Sequence, residues 1–121
     1  MPREFEPANY RRISMINWIL TPPLLILFSW PYLYLAESLG VHQGFMYPGA
    51  FFFSVPFAVT ILHGHVTMAL GSVHRDYYYQ WLQANPYSFG LLYHPIWIKT
   101  RFRLTLFYTG LLFLALGYGV T

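Results

Sequence analysis

His63, His65 and His74 follow one another closely in the chain, and Arg75-Asp76-Tyr77-Tyr78-Tyr79 comes directly after them. Imidazole is the side chain best suited to ligate a metal or carry a proton near neutral pH. A phenol beside a carboxylate offers a hydrogen-bond donor with a proton store behind it. These residues close an apolar run that starts at Gly49-Ala50-Phe51-Phe52-Phe53 and meets no charge before Arg75. Such a run reads as a membrane-spanning helix, and ionisable groups at its end are functional candidates because burying them in hydrocarbon is expensive.

Helical geometry sorts them. Positions eleven apart lie about 20° from one another on a regular helix, so His65 and Asp76 are expected on one face, with the small residues Ala69 and Ser72 between them. His63, Thr67, Leu70 and His74 form a second stripe about 160° away, so His63 and His65 are expected to serve different neighbours. Small residues beside a His leave room for a flat cofactor or a close helix. His65 can then ligate haem iron with a second axial ligand from another chain, ligate a pigment's magnesium, or hydrogen-bond across a helix interface. The residues alone leave these three open. Asp76 pairs most simply with Arg75 or a partner's cation; on the sharper reading Asp76-Tyr77 is the polar corner of a quinone pocket. Tyr78 and Tyr79 point further round and are expected only to anchor the helix at the interface. His42 sits in a connection and carries no spacing argument. No Gly-rich phosphate loop, paired carboxylates or Ser-His-Asp arrangement supports hydrolysis or phosphoryl transfer.

The elements that must position these residues follow from composition. The 121 residues are 56% hydrophobic and 9% charged, against about 25% charged in a soluble domain, so an all-α integral membrane protein is expected. Three spans are predicted, at about 13–36, 49–72 and 104–120. The first carries Pro22, Pro23 and Pro31, and the second Pro56, where kinks are expected. The second span is expected to continue as helix through Leu82. The connection 83–103 is unusually apolar and is expected to lie in the interface or against another subunit. Gly110 and Gly117 share a face of the third span and would allow close helix contact. Without cysteine, disulfides and iron–sulfur ligation within this chain are excluded. The start carries Glu4 and Glu6 and reads as neither a cleavable signal nor a transit peptide.

All seven Lys and Arg lie before the first span or between the second and third. The positive-inside rule then places the amino terminus inside and the carboxyl terminus outside. The net charge of +3 is not a nucleic-acid signature, because the basic residues flank apolar spans. Three helices cannot enclose a substrate path of their own, and their apolar surface asks for partners.

His65 followed eleven residues later by Asp76-Tyr77 resembles the smaller membrane-anchor (cytochrome b) subunit of succinate dehydrogenase, a three-helix protein of similar length. Mitochondrial members have His-Ser-His where this chain has His63-Gly64-His65; Ala69 stands where the family usually has Gly. The resemblance implies a haem b held between two anchor subunits, with His65 as iron ligand or close neighbour and Ala69 and Ser72 beside it. It also implies a quinone site at Asp76 and Tyr77, an iron–sulfur subunit as partner, and an energy-transducing membrane, bacterial inner or mitochondrial inner. The chain would be a non-catalytic subunit of an oxidoreductase. The residues equally allow a structural accessory subunit of a respiratory or photosynthetic complex, or a pigment-binding subunit.

Overall fold

The structure, a computed structural model, describes residues 7–84 and 99–120. It consists of α1 (Pro7–Leu39), α2 (Gln43–Ala84) and α3 (Thr100–Val120), each long and apolar enough to cross a membrane. The predicted spans are thus present, with longer ends. Most of the apolar connection expected at 83–103, in the interface or against another subunit, lies outside the described residues.

The central element is α2. Both α1 and α3 pack antiparallel along it and barely meet each other. Hydrophobic burial gives little drive between spans in lipid, so close approach decides the packing. Gly110 supplies it for α3: a Cβ there would stand 2.9 Å from the Phe53 backbone nitrogen and 3.0 Å from the Gly49 carbonyl oxygen. Gly117 repeats the arrangement against Val41 and Phe45, as its spacing from Gly110 predicts. From α1, Tyr32 reaches over Gly49 and donates to the Gly110 carbonyl at 2.6 Å, so one phenol ties all three helices together. Phe53 lies beside it, packed on Tyr32, Phe57 and Phe107.

The α1–α2 turn is closed by local chemistry. Gly40 takes φ 72°, Val41 donates to the Ala36 carbonyl at 2.9 Å and Gly40 to the Glu37 carbonyl at 3.1 Å, which together form a Schellman C-cap. His42 then caps α2: its Nδ1 accepts from the Gly44 N–H at 3.0 Å. Its own N–H donates to the Gly117 carbonyl at 3.2 Å, pinning the turn to α3. Threonine hydroxyls inside the spans are satisfied within their own helices, as membrane burial requires: Thr21 donates to the Asn17 carbonyl, Thr60 to Pro56, Thr67 to His63 and Thr109 to Thr105.

The break in α2 is not at Pro56, where a kink is expected from sequence; non-helical backbone appears at Gly71, with φ 80° and ψ 168°. That region is essentially restricted to glycine. Its consequence is a reversal. His63 Nδ1 and Tyr79 Oη lie 2.6 Å apart although sixteen residues separate them; an unbroken helix would hold those residues about 24 Å apart, more than the two side chains span. Residues 72–84 therefore fold back along the end of 43–70 and against the start of α1. Tyr10, Ile13, Leu62, Val66, Leu70, Tyr78 and Leu82 form one buried cluster there.

Gly71→Ala is expected to destabilise this end by about 1–3 kcal/mol, read by denaturant unfolding in detergent. Spin labels at Ile61 and Gln80 should report a separation well short of the roughly 28 Å that a continuous helix imposes. A separation at or above that value would mean that the reversal is wrong.

Candidate functional site

The length of α3 sets the level of the membrane. Its 21 residues rise about 31 Å, close to the roughly 30 Å hydrocarbon thickness. Its first turn is level with Thr60, because Arg103 donates to Thr60 Oγ1 at 2.9 Å. Between Gln43 and Leu70, α2 rises about 42 Å, so residues beyond about 63 stand at or past the hydrocarbon boundary. The folded-back arm and the start of α1 stand there too. Every described Lys and Arg is at this same end of the bundle: Arg11 and Arg12 on α1, Arg75 on the arm, and Lys99, Arg101 and Arg103 at the start of α3.

The polar side chains of this end form two groups. In the first, His65 on α2 meets Asn17 on α1, with Nδ1 and Oδ1 3.3 Å apart. An amide oxygen only accepts, so Nδ1 is the donor in this contact, and the buried Asn17 Nδ2 has no hydrogen-bond partner among the described residues. Asn17 is fully buried, as is Ser14 one turn before it. The Ser14 hydroxyl shares a 2.5 Å hydrogen bond with Tyr78 Oη, and the Tyr78 ring is edge-on to Tyr10 at 5.4 Å. His65 and Ala69 also line a groove of about 470 Å³ with Asn9, Arg12, Ile13 and Ile16. The groove is open along one side. In it, one imidazole and one guanidinium face a space bounded by aliphatic side chains.

In the second group, Arg75 donates to Thr67 Oγ1 at 2.9 Å and approaches His63 Nε2 at 3.5 Å. A guanidinium only donates, so Nε2 accepts, Nδ1 holds the proton, and Tyr79 Oη accepts from it at 2.6 Å. The two histidines of His63-Gly64-His65 therefore face different partners, as helical geometry predicts.

The predicted site residues separate accordingly. His65 and Ala69 share the groove. Ser72 lies beyond the reversal and is exposed, as is Asp76. Because Gly71 interrupts the helix, the face expected to run unbroken from His65 to Asp76 does not exist. Tyr77 is 50% exposed and points outward from the arm. The expectation that Tyr78 and Tyr79 merely anchor the helix is overturned. Tyr78 is 0% exposed and bonded to α1, and Tyr79 holds His63. The missed signal is the glycine itself: once Gly71 reverses the chain, the tyrosines turn inward. Asn17 and Ser14 also escape a reading centred on histidines, although polar residues inside an apolar span are a usable flag. Among the described residues, no three His, Asp or Glu side chains gather as a metal site.

No protein-family model, curated protein or solved structure matches the chain.

The tyrosine series tests this geometry. Tyr78→Phe leaves the buried Ser14 hydroxyl without its partner and should cost about 1–3 kcal/mol of stability, whereas Tyr77→Phe should change stability by less than about 0.5 kcal/mol. Unfolding measurements on both variants decide it; equal effects would mean that the arm does not dock as described.

Proposed function

We propose that the chain is a membrane-anchor subunit of a quinone-linked electron-transfer complex, of the succinate dehydrogenase type, and that His65 is an axial ligand of a haem b shared with a second anchor subunit. The observation that carries this reading is the contact of His65 Nδ1 with Asn17 Oδ1 beside an open groove. Histidines that ligate metals almost always donate their other ring N–H to an oxygen acceptor, which orients the ring and fixes the free lone pair. Asn17 Oδ1 does this for Nδ1, and leaves Nε2 at the groove.

The surroundings fit such a group. Ala69, one turn on, leaves space beside the ring; Ile13 and Ile16 offer apolar walls; Arg12 and Asn9 offer partners for acidic substituents. The open side of the groove suits closure by a second subunit supplying the other axial ligand. A bound haem would pass single electrons between an iron–sulfur partner and a quinone. Asp76 and Tyr77 are on the outward face of the arm, so a quinone site there needs walls from a partner. The exposed apolar residues along the spans, such as Ile26, Trp30 and Leu112, suit both lipid and partner helices. On this reading the basic end faces inside, in an energy-transducing membrane.

In the intact complex, His65→Ala should abolish or shift the b-type band in reduced-minus-oxidised spectra, while His63→Ala leaves it in place. Asn17→Leu, which removes the acceptor of the Nδ1 proton, should weaken haem binding about 10–100-fold, read by haem titration of the stripped complex. An unchanged band in His65→Ala would favour a structural accessory subunit, with His65 and Asn17 serving only as an interhelical contact.

Sidedness has its own measurement. Cysteines introduced at Gln43 and Gln83, both exposed, should label from opposite sides of sealed vesicles, Gln83→Cys from the inner side. Labelling from one side only would remove a span crossing.

A further inference from the structure

A second cluster lies on the other side of the same end, and the proposed haem does not use it. Arg103, in the first turns of α3, donates to Thr60 Oγ1 at 2.9 Å. Arg75, on the folded-back arm, donates to Thr67 Oγ1 at 2.9 Å. Thr60 and Thr67 are two turns apart on nearly the same face of α2, so two guanidinium groups from different elements converge on that face. Among the described residues their side-chain partners are neutral: two threonine hydroxyls and an imidazole. Among the described residues, the buried Nε of each has no hydrogen-bond partner. A guanidinium carries five donors, and partly desolvated cations without an anion are costly. The arrangement therefore calls for an anion.

The space beside Arg103 says what kind. A groove of about 420 Å³ runs between α2 and α3, lined by Thr60, Thr100 and Arg103 at one end and by Phe57, Leu104 and Phe107 toward the membrane centre. The polar end lies where α3 enters the hydrocarbon, the depth at which phospholipid phosphates meet acyl chains. A free phosphate would satisfy the arginines and leave the aromatic walls unused. An anionic phospholipid satisfies both.

We propose that this groove holds one anionic phospholipid, its phosphate on Arg103 within the field of Arg75, and an acyl chain along Phe57, Leu104 and Phe107. This assignment is independent of the haem reading.

The experiment uses the full chain, delipidated in detergent, mixed with micelles containing phosphatidylglycerol or phosphatidylcholine, with retained lipid counted by native mass spectrometry. Phosphatidylglycerol should be retained about tenfold or more over phosphatidylcholine, and Arg103→Gln should remove most of that preference. Leu104→Trp fills the groove from an exposed position and should reduce retention with no loss of fold. Millimolar inorganic phosphate should fail to displace the lipid. Equal retention of the two lipids overturns the proposal, as does unchanged preference in Arg103→Gln that melts like the parent chain. Displacement by inorganic phosphate would mean a bare anion site and overturn the lipid assignment. Should Arg103→Gln not fold, Leu104→Trp decides: undiminished retention rejects the groove.

Discussion

A single backbone conformation governs the functional end of this bundle. At Gly71 the chain takes φ 80°, a region in which a side chain is strained. Without that turn, α2 would project straight out of the membrane, carrying Tyr78, Tyr79 and Leu82 into water. With it, the arm returns far enough for Tyr79 to meet His63, for Arg75 to meet Thr67 and for Tyr78 to enter the cluster with Tyr10 and Leu62. These contacts form past the hydrocarbon level, where removal of apolar surface from water is worth about 25 cal/mol per Å². Hydrophobic burial can thus hold the arm, although it contributes little between the spans themselves.

Order at this end then depends on matching each donor with an acceptor. Thr60 and Thr67 are both used twice: each donates to the carbonyl four residues back and accepts from an arginine. Asn17 meets His65 through an oxygen that only accepts, and Arg75 meets His63 through a nitrogen that only donates. The result is two imidazoles two residues apart in sequence with opposite surroundings. His65 lines a groove, and His63 lies between a phenol and a guanidinium.

Much of the fold was legible in the sequence because membrane helices announce themselves by length and hydropathy. The contact made by Gly110 and Gly117 followed from their spacing alone, and so did the divergence of His63 from His65. The prolines gave no hint of the reversal, which falls at Gly71 while Pro56 sits within helical backbone. A glycine in an apolar run reads either as a packing contact or as a break, and only tertiary partners choose between them. Here the partners are Ser14 and Tyr10, more than sixty residues away from Tyr78 in sequence. The same ambiguity hid the roles of Tyr78 and Tyr79, because tyrosines near a membrane boundary are explained cheaply by interfacial anchoring. His42 was unreadable for a related reason: histidine is an uncommon cap, and its role depends on the Schellman turn before it.

The two ends of the bundle are built on different principles, and this difference limits where function resides. At the α1–α2 turn, backbone groups are satisfied by backbone and by the His42 ring, and glycine contacts bring the helices together around Tyr32. No described Lys or Arg lies there. At the other end, helices of unequal length leave polar side chains to be satisfied by one another, and some buried donors, the Nε atoms of Arg75 and Arg103, have no hydrogen-bond partner among the described residues. Unmet donors cost free energy in the isolated chain. Of the two, Arg103 lines the open groove between α2 and α3. Among the described residues, the basic end is thus where the arginine Nε donors stay unmet.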